Sequence, residues 1–279
     1  APMPVLFGLL SAFLIGSSDF LGARSAGRTT ALQTTTAAFL GGALVVGVCS
    51  PFLGSPDRHD LWLGALSGVA VFVALTTLWL GYARSSIGVV GPVAAVVSTV
   101  LPVLWRAGRG EVPGVLGWTG MLVGVSALLL TSWAPRRADG SDEVRNGVVL
   151  GAFGGVAFAA MFLIAVSTSE ESGTWPVVAQ RATAFVLAVG VGVVTRRHPF
   201  ADIGSVRWSV LAGVFGASGV AATVYAGQRW PLAPVIVAGS MYPAVAVGLA
   251  WIFLRERLTR RQIVGIVAAL VGVALIALD

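Results

Sequence analysis

Lysine is absent from this chain of 279 residues, cysteine occurs once and histidine twice. The lone Cys49 excludes an internal disulfide and a CxxC metal site, and it reads as a buried thiol. His59 and His198 fall in expected loops, far in sequence from any Cys, His or carboxylate cluster with metal-ligand spacing. Charge is scarce as well: 11% of residues are charged against 56% hydrophobic, with a mean hydropathy of +0.89. A soluble domain carries roughly 25% charged residues, so a soluble body is excluded. No GxSxG, HExxH or P-loop pattern is present, which leaves no motif for hydrolysis or for ATP drive. The chain therefore reads as a non-enzyme that needs no cofactor. Residues Ala1 to Pro4 hold no basic side chain, so the charged n-region of a signal peptide is missing and the first apolar run is expected to stay as a helix.

Apolar sequence is what the chain has in quantity. A helix needs about 20 apolar residues to cross about 30 Å of hydrocarbon. The expected spans in the first half are Val5 to Leu21, Ala31 to Phe52, Leu61 to Tyr82, Ile87 to Trp105 and Pro113 to Trp133. Those in the second are Gly147 to Ser167, Trp175 to Thr195, Trp208 to Gln228, Leu232 to Leu254 and Gln262 to Leu278. The longest polar break, Ala134 to Asn146, separates two sets of five. Gly117–Leu130 and Gly265–Leu278 overlay at a spacing of 148 and agree at six of fourteen positions, among them Gly117/Gly265, Gly124/Gly272 and Leu130/Leu278. Further pairs are Gly8/Gly151, Gln33/Gln180, Gly68/Gly216 and Tyr82-Ala83/Tyr225-Ala226. Pro92 and Pro234 each precede a serine by six positions, at Ser98 and Ser240, with Pro102 and Pro243 soon after. An odd number of spans per copy makes the second copy enter from the opposite side. The expected fold is an all-α integral membrane protein of ten transmembrane helices, arranged as two inverted five-helix repeats. Residues 1–133 form the first repeat, 134–146 the loop between repeats and 147–279 the second.

The net charge of +6 is spread over the expected loops, not gathered into the basic stripe that nucleic acid needs. Thirteen arginines fall in loops after odd-numbered spans and four in the others. The positive-inside rule then places both termini outside the cytoplasm. Trp62, Trp105, Trp133, Trp175, Trp208 and Trp230 sit at span ends, where an indole anchors at the headgroups. Gly64xxxGly68, Gly120xxxGly124 and Ala268xxxGly272 suit close helix approach. Thr259 and Gln262 have capping-box spacing for the last helix, and Pro113 suits a first turn.

The segment Leu254-Arg-Glu-Arg-Leu-Thr-Arg-Arg-Gln-Ile-Val-Gly265, followed by Gly272-Val273, resembles the signature that closes each repeat of EamA-type carriers in the drug/metabolite transporter superfamily. The proline-rich fourth and ninth spans and the Tyr-Ala pairs extend the resemblance over almost the full chain. It implies a ten-helix carrier with a central cavity lined by helices 1, 3, 4, 6, 8 and 9, with helices 5 and 10 peripheral. The first copy departs from the pattern: Gly108 stands at the Glu position, Ile15 at a tryptophan position, and Thr34 where the second copy has Arg181.

A carboxylate within a span costs about 2.5 to 3.5 kcal/mol on insertion scales, so Asp19 is expected to face a cavity or a partner. It is a candidate for proton coupling or for a cationic substrate, or else it caps a bent helix end near Arg24. Trp79, Tyr82 and Tyr225 fall where the family builds its cavity wall, and aromatic faces suit amphipathic or cationic ligands; packing or interface anchoring is the plainer reading. Ser98, Ser240 and Tyr242 lie beside prolines that free helix carbonyls, although serines also back-bond to their own helix. Arg181 is expected to reach the headgroups along its stem or to form a structural pair, against a role in recognising a carboxylate. The expected function is secondary transport of a small amino-acid-like metabolite by export or exchange, with alternating access and Asp19 as the coupling group. The alternative is a carrier for quaternary amines or drugs that uses Asp19 and an aromatic pocket. The expected partners are the solute and membrane lipids, with no metal and no catalytic residue, in a multi-pass plasma-membrane protein that is a monomer or homodimer.

Overall fold

Hydrocarbon offers no water to bond backbone N–H and C=O groups, so long apolar runs are stable there only as helices that satisfy those groups internally. The computed structural model describes residues 3–108, 114–132, 141–165, 167–200, 203–230, 235, 238–239, 241–254 and 260–278, and among these there is no strand. The helices are α1 (Met3–Ala26), α2 (Ala31–Cys49), α3 (Arg58–Arg84), α4 (Ile87–Ala107), α5 (Val115–Ser132), α6 (Ser141–Ala165), α7 (Trp175–Val194), α8 (Ile203–Arg229), α9 (Tyr242–Leu249) and α10 (Arg260–Ala277). A π-helical turn, Ala250–Leu254, continues α9. Six spans, on α1, α2, α3, α6, α7 and α8, are long and apolar enough to cross a membrane; the apolar stretches of α4, α5, α9 and α10 are shorter.

Several boundaries differ from the sequence expectation. α1 runs five residues past Leu21, α8 starts five residues before Trp208, and α6 begins at Ser141 inside the expected inter-repeat loop. A helix needs only internal hydrogen bonds to continue, and at the end of α1 a polar contact with a neighbouring helix stabilises the added turn. Ser25, in the extension of α1, shares a hydrogen bond of 2.7 Å with Ser209 near the start of α8. Thr30 and Gln33 form a reciprocal capping box that starts α2, while Pro113 and Thr259 lie outside the described residues. Cys49 is exposed, not buried, at the end of α2.

The packing has a pattern that survives exchange of the two halves. α1 lies on α8 as α6 lies on α3; α2 lies on α8 as α7 lies on α3; α6 meets α4 as α1 meets α9. α2 meets α7, and α5 meets α10. In the last pair a Cβ at Gly272 would lie 2.7 Å from the backbone nitrogen of Gly124, its counterpart 148 positions earlier. Directions follow from the contacts. Ser11, Ser18 and Ser25 meet Gly219, Ala212 and Ser209 in turn, so α1 and α8 are antiparallel. Gly147 meets Ser85, Gly151 meets Val90 on α4, and Gly154 meets Thr77, so α6 likewise runs against α3.

Polar side chains face inward. Ser11, Ser18, Ser25, Thr34, Thr35, Asp19, Asp60, Gln180 and Arg181 are buried, while Leu6, Phe13, Leu44, Val48, Trp62 and Val194 are exposed. Such an inverted distribution fits a lipid solvent, in which helices associate through small residues and interhelical hydrogen bonds instead of apolar burial.

Candidate functional site

Asp19 lies in the C-terminal third of α1 and is 3% exposed. Small neighbours make its setting: Gly16 and Gly22 sit one turn to either side on the same face. A Cβ at Gly16 would be 2.6 Å from the carbonyl oxygen of Tyr242, which brings the start of α9 against α1. A Cβ at Gly22 would collide with the indole of Trp79, so α3 approaches α1 on this face too. One turn of α3 beyond Trp79, the hydroxyl of Tyr82 donates to Asp19 Oδ2 at 3.3 Å. Tyr242 lies within electrostatic range of the same carboxylate. Trp79 is fully buried and its Nε1 has no acceptor among the described residues. No arginine or histidine forms an ion pair with Asp19 among the described residues, where the one pair is His59 with Asp60.

The structure thus brings Asp19, Trp79, Tyr82 and Tyr242 together. Ser98 is buried and donates to the carbonyl of Ala95, three residues back on its own helix, at 3.0 Å. Tyr225 stands elsewhere: it stacks on Phe7, with ring centroids 5.8 Å apart, beneath the Arg229 guanidinium at 3.7 Å. Phe7 and Asp19 are separated by about 18 Å along α1. Ser240 lies outside the described residues.

Other polar features differ from the sequence expectation. Arg181 is 4% exposed and does not reach the headgroups. Its stem passes Gly42, which in turn abuts Gly213 and Ala217, so the missing side chains of α2 and α8 leave room for it inside. α8 presents Ala212 and Gly216 to Ser18 on α1 but Gly213 and Ala217 to Gly42, which puts Arg181 and Asp19 on different sides of α8. His59 is not isolated: ligand atoms of Asp57, His59 and Asp60 gather within 4.8 Å. The cluster is a helix cap. Asp57 Oδ2 accepts from the backbone N–H of His59 and Asp60 at 2.8 and 3.2 Å, and starts α3.

Two groups of side chains escaped the sequence reading. Ser11, Ser18 and Ser25 repeat every seven residues, and their hydroxyls join α1 to α8 through Gly219, Thr223, Ala212 and Ser209. That heptad was visible in the sequence as a polar line on one helical face. Asp60, 3% exposed, accepts at Oδ2 from Ser169 N–H at 2.9 Å, Ser169 hydroxyl at 2.5 Å and Ser172 hydroxyl at 2.6 Å. Around it the loop after α2 and the loop after α6 interlock: Ser50 bonds Thr174, and Trp175 Nε1 donates to the carbonyl of Gly54. Gln228, at the end of α8, donates to the carbonyls of Ser169 and Gly173.

The fold has solved counterparts. The crystal structure of one such protein superposes with a TM-score of 0.66 over 99% of this chain and 98% of its own, at 18% identity. No curated protein matches the sequence. Residues 145–278, which begin in α6 and include the buried Arg181, match the model of the EamA-like transporter family. Over that stretch, a little under half of the chain, the sequence is that of an EamA-like transporter, consistent with the drug/metabolite transporter superfamily.

Proposed function

We propose that the chain is a secondary transporter of a small amine-bearing metabolite, amino-acid-like in size, which it exports or exchanges across a plasma membrane by alternating access. The observation that carries this reading is Asp19: a buried carboxylate with a single phenolic donor and no ion-pair partner among the described residues. Burying an unpaired charge is costly, so such a group calls for a proton or a cationic solute group. Trp79, Tyr82 and Tyr242 supply the wall around it, with Ser98 and Tyr225 further along the route.

The architecture behind the proposal is ten spans in two inverted repeats, residues 1–133 and 147–279, with both termini extracytoplasmic. It is supported by the exchange-symmetric packing and by helix direction. α1 and α3 meet at their C-terminal ends and so run together, α8 runs against α1, and α3 is thereby opposed to its repeat counterpart α8. One break in that symmetry lies beside Asp19. α1 contacts α3 through Asp19–Tyr82 and Gly22–Trp79, and the equivalent α6–α8 pair makes no comparable contact among the described residues. Closure of the helix ends around Asp19 is what one state of an alternating-access cycle requires.

The test is solute flux in proteoliposomes under an imposed proton gradient. Wild-type protein should accumulate an amino-acid-like solute, and Asp19→Asn should lose at least about tenfold of the rate along with its pH dependence. A variant that keeps both would overturn the assignment of Asp19. The aromatic walls at Trp79 and Tyr82 favour a second reading, a quaternary-amine carrier. That reading predicts pH-independent competition by tetraalkylammonium ions and no flux of zwitterions.

A further inference from the structure

At the arginine-rich end, where α1 finishes and α8 begins, two guanidinium groups converge on one indole. Arg24 Cζ lies 5.0 Å and Arg207 Cζ 5.1 Å from the ring centroid of Trp208, so the two charges are within about 10 Å of each other. Cation–π attraction orients both side chains, but it satisfies none of their in-plane N–H groups. Arg24 Nε and Trp208 Nε1 are shut off from water and have no acceptor among the described residues. Arginine and tryptophan side chains only donate, and no carboxylate pairs with either arginine among the described residues. Arg207 also stands near the positive end of the α8 dipole, a placement that is unfavourable for a cation unless an anion offsets it. The cluster is held in place by its neighbours, since Ser25 next to Arg24 bonds Ser209 next to Trp208 at 2.7 Å.

We infer that Arg24, Arg207 and Trp208 form a binding site for a phosphate group, carried by an anionic lipid headgroup or present as free phosphate. Several acceptor oxygens on one anion answer two positive charges and the buried indole and guanidinium donors together. Trp208 was expected to anchor at the headgroups, so the site lies at the depth where a phospholipid presents its phosphate. Because it bridges the ends of α1 and α8, occupancy clamps the helix that carries Asp19 to its main packing partner.

The experiment is native mass spectrometry of the delipidated full-length protein titrated with phosphatidylglycerol and with phosphatidylcholine, beside a thermal-shift titration with inorganic phosphate. Each arginine near an anionic headgroup contributes about a fivefold factor, so Arg24→Gln/Arg207→Gln should weaken phosphatidylglycerol binding about thirtyfold. Arg28→Gln/Arg84→Gln removes the same charge from exposed positions at the same end, and should weaken it less than about threefold. Selective loss of phosphatidylglycerol identifies the lipid as the source. A phosphate-induced rise in Tm that only the Arg24/Arg207 variant lacks, without lipid selectivity, identifies free phosphate. Equal weakening in both double variants, or none in either, would overturn the site. Should Arg24→Gln/Arg207→Gln fail to fold, Arg207→Gln alone, at an exposed side chain, carries the test with about a fivefold loss expected, and unchanged binding in it overturns the site.

Discussion

Asp19 and Asp60 are equally buried, each 3% exposed, and their surroundings are opposite. Oδ2 of Asp60 accepts three hydrogen bonds of 2.9 Å or less from Ser169 and Ser172, and its other oxygen lies 3.4 Å from His59. Asp19 accepts one, from Tyr82 at 3.3 Å. Burial alone therefore does not mark a working carboxylate. Asp60 has its lone pairs filled and fastens α3 to the loop after α6. Asp19 has acceptor capacity left over at a contact between two helices, where a proton or an ammonium group can use it.

The contrast is sharpest when each group is removed. Asp60→Ala leaves three donors without an acceptor and should cost about 2 kcal/mol, read as lower folded yield and a lower Tm in detergent. Asp19→Asn keeps shape and one hydrogen bond, so the Tm should move little while flux falls at least about tenfold, which is 1.4 kcal/mol at the barrier. The reverse outcome, with Asp19→Asn unstable and Asp60→Ala silent, would exchange their roles. Tyr82→Phe removes the one donor to Asp19 and should slow flux about threefold with an altered pH profile. Ser18→Ala deletes one interhelical hydrogen bond and should cost about 0.6 kcal/mol by thermal unfolding, with no change in the pH profile of flux.

Hydropathy made most of the helices legible because lipid demands long apolar runs, and the matching stretches around Gly124 and Gly272 prove to pack on each other. Asp19 was legible for the same reason, since a carboxylate inside such a run stands out. Arg181 was misread because its depth depends on Gly42, Gly213 and Ala217 from other helices making room, which no local pattern states. Asp60 was missed because it lies beside an expected span, where an acid resembles an ordinary cap, and its serine donors are more than 100 residues away. The end of α1 was cut short because Ser25 looks like loop until it is seen to bond Ser209 on α8.

The crossing of α5 and α10 sets Gly272 on Gly124, the glycine 148 positions earlier in a matching stretch of sequence. A seam between two matching stretches resembles a dimer interface folded into one polypeptide. Two polypeptides cut between α5 and α6 would retain matching halves of that seam, and co-expression of such fragments should restore the intact carrier.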